Sequence, residues 1–269
     1  MYDKKEKAIV VRDSSQCEML DPSTRVYIGS EFCELQLPSL EEYDQFRKIC
    51  EEKKINGTLL TPVCTEKGLQ KCSALLQFAK KADFIDEIVV NDWGILHMLD
   101  HDTMSYKRIL GRLLVSRYLM KEHCMYKQGE NNIGSFPEAF VDFLKKNDLN
   151  RLEFNFVGHL RAAHEQLHAN EIRAHLYVPY SYISVSRYCT AEFDYVRISN
   201  RIKESCSREC FTISAKRIQE KMCSDFVMHG NTLLTQAETP TGSDLLLIDR
   251  IVDNSASDIQ RAFEEANSE

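Results

Sequence analysis

Short runs rich in β-branched and aromatic residues alternate along the chain with stretches whose apolar positions recur at three and four residues. That is the pattern of β/α units around a parallel sheet. The runs that read as strands are Arg25–Gly29, Gly57–Pro62, Glu87–Asn91, Lys107–Leu114, Arg151–Val157, Arg173–Val178, Asp194–Ile198 and Asp225–His229. Helical periodicity fills Leu40–Lys53, Thr65–Lys81, Phe136–Asn147 and His159–Ala169 between them. Eight strands is the count of a TIM-type (β/α)8 barrel, so the expected class is α/β. A last run, Leu245–Val252, and a helix over about 257–266 capped by Ser257 or Asp258 close the series. Polar turns at Asp148–Asn150, Asn170 and Ser199–Asn200 and the lack of a Pro/Ser-rich linker predict a single barrel domain over residues 1–269.

Charge removes several classes of function. The 269 residues carry 34 basic against 41 acidic side chains, a net charge of −7, and the Lys and Arg residues are scattered. Nothing there neutralises a phosphate backbone, so no nucleic-acid partner is expected. The longest charge-free stretch, Ala174 to Ser186, falls short of the roughly 20 apolar residues of a membrane-spanning helix. The N-terminus has only the short apolar run Ala8 to Val11, too brief for a secretory signal, and the expectation is a cytoplasmic protein. In a reducing compartment the ten cysteines read as metal ligands, reactive thiols or small buried hydrophobes rather than as disulfides.

Three patterns could carry chemistry. The first is Cys189-x16-Cys206-x3-Cys210 together with Cys33 in the turn GSEFC. Clustered thiolates select zinc or iron–sulfur centres, and loops following the strands of a parallel barrel open on one face, where distant cysteines can meet. The competing reading is four small core residues. The second is HEQLH, His164 to His168, which fits the zinc-peptidase template H-E-x-x-H with Glu165 as base. Against it, HLRAAHEQLHAN reads as an outer barrel helix with Leu160, Ala163 and Leu167 packed inward. The third is VVNDWG, where Asn91 and Asp92 end a strand and either meet a substrate or cap the next helix. Arg112, His175 and Tyr177, placed in strands, join Asn91 as expected substrate-binding residues at the barrel mouth, suited to a small carboxylated or aromatic molecule. The glycines stand singly and no G-x-S-x-G is present, which removes phosphate loops and the serine-hydrolase elbow.

The succession VYIGSEFC, EIVVNDWGILHML, RYCTAEF and ESCSRECF resembles peptidase family U32, and within it the iron–sulfur branch of the anaerobic ubiquinone-hydroxylation proteins (the UbiU/UbiV type). The resemblance runs from about Val26 to Thr235. It implies a TIM-type barrel, a [4Fe–4S] cluster held by Cys33, Cys189, Cys206 and Cys210, no zinc at HEQLH, and a second protein of the same family as partner. The resulting expectation is an electron-transferring protein in an oxygen-independent modification, such as hydroxylation, of a small organic substrate. The rivals are a zinc peptidase and a non-catalytic binding module whose cysteines hold structural zinc.

Overall fold

The computed structural model describes residues 5–80, 84–101, 106–119, 135–187, 189, 206–211, 226–256, 259–261 and 263–264. Eight parallel strands close into a barrel: β1 (Glu6–Val11), β2 (Thr24–Gly29), β3 (Gly57–Leu60), β4 (Ile85–Val90), β5 (Lys107–Leu110), β6 (Arg151–Phe154), β7 (Arg173–Val178) and the last strand, Arg250–Asp253, which lies between β7 and β1. Around it run α1 (Leu40–Lys53), α2 (Glu66–Ala79), α3 (Trp93–Asp100), α4 (Arg112–Leu119), α5 (Glu138–Lys146) and α6 (Val157–Ala169). Between β7 and the closing strand, β8 (Tyr180–Val185), β9 (Phe226–His229) and β10 (Thr232–Gln236) form a separate antiparallel sheet in the order β8-β10-β9; the closing strand is therefore β11. Among the described residues no helix is long and apolar enough to cross a membrane.

Local chemistry explains the helix starts. Ser39 and Glu42 form a reciprocal capping box at α1, Thr65 accepts from the Gly68 N–H at α2, and Asp92 accepts from the Gly94 N–H at α3. Asp92 thus takes the capping role weighed for it above. The expected helices Leu40–Lys53, Thr65–Lys81, Phe136–Asn147 and His159–Ala169 correspond to α1, α2, α5 and α6, with Leu160, Ala163 and Leu167 buried as the periodicity required.

The barrel count of eight holds, but two of its members differ from the expected set. Asp225–His229 is a strand of the antiparallel sheet and Asp194–Ile198 lies outside the described residues. Their places are taken by β1 and β11. The charged opening Glu6-Lys7 hides β1 in the sequence, because Glu6, exposed at the strand's start, finds its partners, Arg25 and Arg250, on other strands. The run Lys107–Leu114 also divides: the strand stops at Leu110 and α4 begins at Arg112. Gly111 makes that corner, since a Cβ there would sit 2.0 Å from the Asn91 side-chain oxygen.

Strand alternation sorts the core into two parts. Outward residues such as Val26, Ile28, Leu59, Ile88, Leu110, Leu152 and Leu176 pack under the helices. The inward set Ala8, Val10, Tyr27, Leu60, Val89, Ile109, Tyr177 and Val252 forms its own apolar cluster and plugs the barrel at mid-height. Above and below that plug the interior is polar.

Candidate functional site

The C-terminal mouth of the barrel is closed by β8. Asn155, just past β6, accepts from the Tyr182 N–H at 2.9 Å and donates to the Tyr182 carbonyl at 2.7 Å. Asn254, just past β11, treats Tyr180 in the same way at 3.1 and 2.7 Å. The backbone of β8 is thereby hydrogen-bonded to the strand ends. Beneath it lies Arg112, 1% exposed. Its guanidinium donates to both Glu31 oxygens at 2.7 and 2.8 Å, to Asn155 at 3.0 Å and to the Tyr180 carbonyl at 3.1 Å, engaging four of its five N–H groups. It also stacks 3.9 Å above the Tyr177 ring. Burial opposes the Arg112 charge, and Glu31 more than offsets that cost.

Below this pair the Tyr177 hydroxyl donates to Glu153 at 2.9 Å. Burial, reinforced by the negative charge of Glu31, pushes the Glu153 carboxyl up to about 8, against the pull of the Tyr177 hydrogen bond. Glu153 is accordingly protonated at neutral pH. Asn91 is fully buried, donating to the Thr61 carbonyl at 3.0 Å and accepting from the Leu113 N–H at 3.3 Å.

The four expected substrate-binding residues fall at two places. Asn91, Arg112 and Tyr177 come together at the C-terminal end, where all three are buried and Arg112 is hydrogen-bonded to β8. Arg112 is there because it opens α4 rather than lying in a strand. His175 is elsewhere, two residues below Tyr177 on the inward face of β7 and therefore at the opposite end, beside Arg250.

The cysteines gather at the C-terminal side. Cys33 ends the turn after β2, its N–H held by the Ser30 hydroxyl at 3.2 Å. Cys189 follows β8, and Cys206 and Cys210 flank a short turn. Cys189 hydrogen-bonds Cys210, and the sulfurs of Cys33 and Cys206 lie within electrostatic reach of Cys189 and Cys210 respectively. Gln36 Nε2 donates to Cys210 Sγ at 3.1 Å, and the Arg208 N–H donates to Cys206 Sγ at 3.2 Å. Arg208 clamps Glu42 of α1 with two bonds of 2.7 and 2.9 Å, which straps the Cys206–Cys210 turn against the Cys33 loop. Asn231 ties the small sheet to the same loop by donating to the Phe32 carbonyl at 2.8 Å. Gly230 completes the enclosure, because a Cβ there would come 3.3 Å from Cys210 Cβ and 3.9 Å from Cys189 Sγ. Burial raises the Cys33 thiol, and the hydrogen bond with Cys189, then burial, raises that of Cys210. Among the described residues no three His, Cys, Asp or Glu side chains close on one point tightly enough to hold a single metal ion.

HEQLH lies on α6 outside the barrel. His168 and Glu165 are exposed, His164 is half-buried, and the two imidazole rings are 6.2 Å apart. Trp93 packs edge-on against Phe143 at 5.5 Å, a packing role. Sequence reasoning passed over Gln36, Arg208 and Glu31. The last two were visible as charged residues inside the cysteine motifs CSREC and GSEFC, where a solvated role is the ordinary reading.

The chain superimposes on the solved structure of the U32 peptidase Mk0906 with a TM-score of 0.50, over 94% of this chain and 93% of that one, at 8% sequence identity. At that identity the likeness is one of fold: the two proteins share the barrel architecture. No protein-family profile matches the sequence. No curated protein matches it either.

Proposed function

We propose that the protein binds a [4Fe–4S] cluster through Cys33, Cys189, Cys206 and Cys210 and takes part in an oxygen-independent modification of a small organic substrate, together with a second protein of its own family type. The observation that carries the reading is the convergence of four cysteines, distant in sequence, on one corner of the barrel's C-terminal side. The donor set fits. Four soft thiolates on three segments, Cys33, Cys189 and the Cys206–Cys210 turn, rather than on one rigid helix, can draw in around a cluster, which is larger than a single ion. Gln36 and Arg208 supply N–H groups to two of the sulfurs, the kind of hydrogen bond that sets a cluster's potential. The Arg208 guanidinium adds positive charge beside Cys206 and Cys210.

When bound, such a cluster supplies one-electron transfer. The residues of this chain would hold it, keep its sulfurs hydrogen-bonded and limit water at Cys210, the buried member of the four. Because β8 seals the barrel interior, substrate would approach from outside the barrel on the cysteine side, not through the mouth.

The test is iron and acid-labile sulfide analysis, with an absorption spectrum, on protein purified without oxygen and on Cys206→Ala/Cys210→Ala. About four iron and four sulfide per chain, lost in the variant, is the expected result. No iron and sulfide after anaerobic reconstitution would overturn the proposal. Zinc lost on changing Cys206 would point to a structural zinc site, and zinc lost on changing His164 to a peptidase.

A further inference from the structure

The N-terminal end of the barrel, opposite the cysteines, is an open bowl of about 490 Å3. The apolar plug around Tyr27, Leu60, Val89 and Ile109 separates it from the mouth, so it is a second, independent site. The bowl is lined almost wholly by ionisable side chains from the starts of the strands. In barrels of this class that face ordinarily serves stability, and part of it does so here. Glu6 bridges Arg25 and Arg250 at 2.9 and 2.6 Å, Glu87 accepts from Arg250 at 2.6 and 3.1 Å, and Asp86 bridges Arg25 and Lys107 at 2.5 and 3.0 Å. Asp249 accepts from the Ala174 N–H at 2.8 Å.

Two guanidinium groups remain. Arg173, at the first position of β7, is exposed and has no carboxylate within ion-pair distance among the described residues. Among the described residues Arg151, at the first position of β6, meets Glu87 alone of the carboxylates, at 3.6 Å, and the neutral Asn150 oxygen at 2.8 Å. The floor between them holds His175, 1% exposed, whose Nδ1 has no hydrogen-bond partner. That nitrogen is itself buried, and burial, then the neighbouring Arg250, Arg151, Arg25 and Arg173, hold the imidazole well below its ordinary pKa, so the floor is neutral and the uncommitted charge of the bowl is that of the two arginines.

We propose that this bowl binds the phosphoryl group of a small phosphate monoester, held by Arg151 and Arg173 with His175 beneath it. Two planar forks, on residues paired in register across β6 and β7, can each present paired N–H groups, which suits the several oxygens and double charge of a phosphate monoester. The volume exceeds that of a bare phosphate and leaves room for an organic remainder, whose hydroxyls would find acceptors in Glu6 and Asp249. The proposal stands independently of the cysteine site.

The test is calorimetric titration of the full chain at low ionic strength with glycerol 3-phosphate, inorganic phosphate, citrate and glycerol. Saturable binding of glycerol 3-phosphate, tighter than that of inorganic phosphate and weakened at least tenfold in both Arg173→Ala and Arg151→Ala, is expected. Arg173→Lys should recover only part of the loss, because it keeps the charge without the fork. Circular dichroism of each variant shows that the fold is intact, which Arg173 at the rim makes secure. No saturable binding of either phosphate, citrate binding as tightly, or affinity unchanged in both arginine variants would each overturn the assignment.

Discussion

The two ends of this barrel are built from the same residue types and do opposite things. At the C-terminal end Arg112 is enclosed by Glu31, Asn155 and the Tyr180 carbonyl under a strand that crosses the opening. At the N-terminal end Arg151 and Arg173 line an open cavity. The difference is one of cover. Where β8 excludes water, each polar group needs a protein partner, and the asparagines Asn155 and Asn254 are matched to its peptide groups. Where nothing crosses, charge can be left over, and water or a ligand completes it. A closed polar end satisfies its groups within the chain, whereas an open one leaves some of them to solvent.

Breaking the closed end should give the largest effect. Arg112→Ala would leave Glu31 buried and unpaired, and a loss of about 3–5 kcal/mol is expected in urea denaturation. Replacing both members, Arg112→Met with Glu31→Leu, should recover much of that loss if the cost lies in the orphaned charge; a double variant as unstable as the single one would show that the arginine's packing on Tyr177 dominates instead.

Next in size is the proton on Glu153. Its folded pKa of about 8 lies above the ordinary carboxylate value, so the folded state holds one proton more than the unfolded state between roughly pH 4.5 and 8. Stability from this group is complete below that window and declines through it by about 1.4 kcal/mol per pH unit. Glu153→Gln should flatten this part of the profile and gain on the parent as pH rises to 8. Parallel profiles for the two proteins would mean that Glu153 is ionised in the fold.

Smaller effects separate the two sites. Arg208→Ala removes a partly exposed pair with Glu42 and should cost less than about 1 kcal/mol, yet it frees the Cys206–Cys210 turn. Reconstituted iron per chain should therefore fall while the melting temperature moves by only about 2–4 °C. Smallest of all, Arg173→Ala should change stability by less than about 0.5 kcal/mol, in contrast with Arg112→Ala, since the exposed arginine has no buried partner to orphan. A large loss there would erase the contrast between the ends.

Much of this architecture was readable from the chain. The helices α1 and α2 announce themselves through Ser39, Glu42 and Thr65, whose caps act within three residues, and the alternation in RVYIG and RAHLYV marks interior strands. Cys33, Cys189, Cys206 and Cys210 were legible as a group because thiols are few and their spacing is short in the last pair. The small sheet was not legible. Asp225–His229 reads as a barrel strand and Tyr180–Val185 is not read as a strand at all, because nothing local states which partner or direction such a segment will take. The roles of Arg112 and His175 were illegible for a related reason. An inward polar residue on a strand reads the same at either end of a barrel, and only its height relative to the plug and to β8 decides whether it is sealed or open.

By itself, then, the sequence determined what acts over short separations: strand and helix alternation, the caps and the thiols available for a centre. The tertiary structure decided what depends on distant partners: the entry of β1 into the barrel beside β11, the sealing of one end through Arg112 and Glu31, 81 residues apart, and the opening of the other. Hydrophobic periodicity and capping are local free energies, whereas the satisfaction of a buried charge depends on which group the folded chain brings to it.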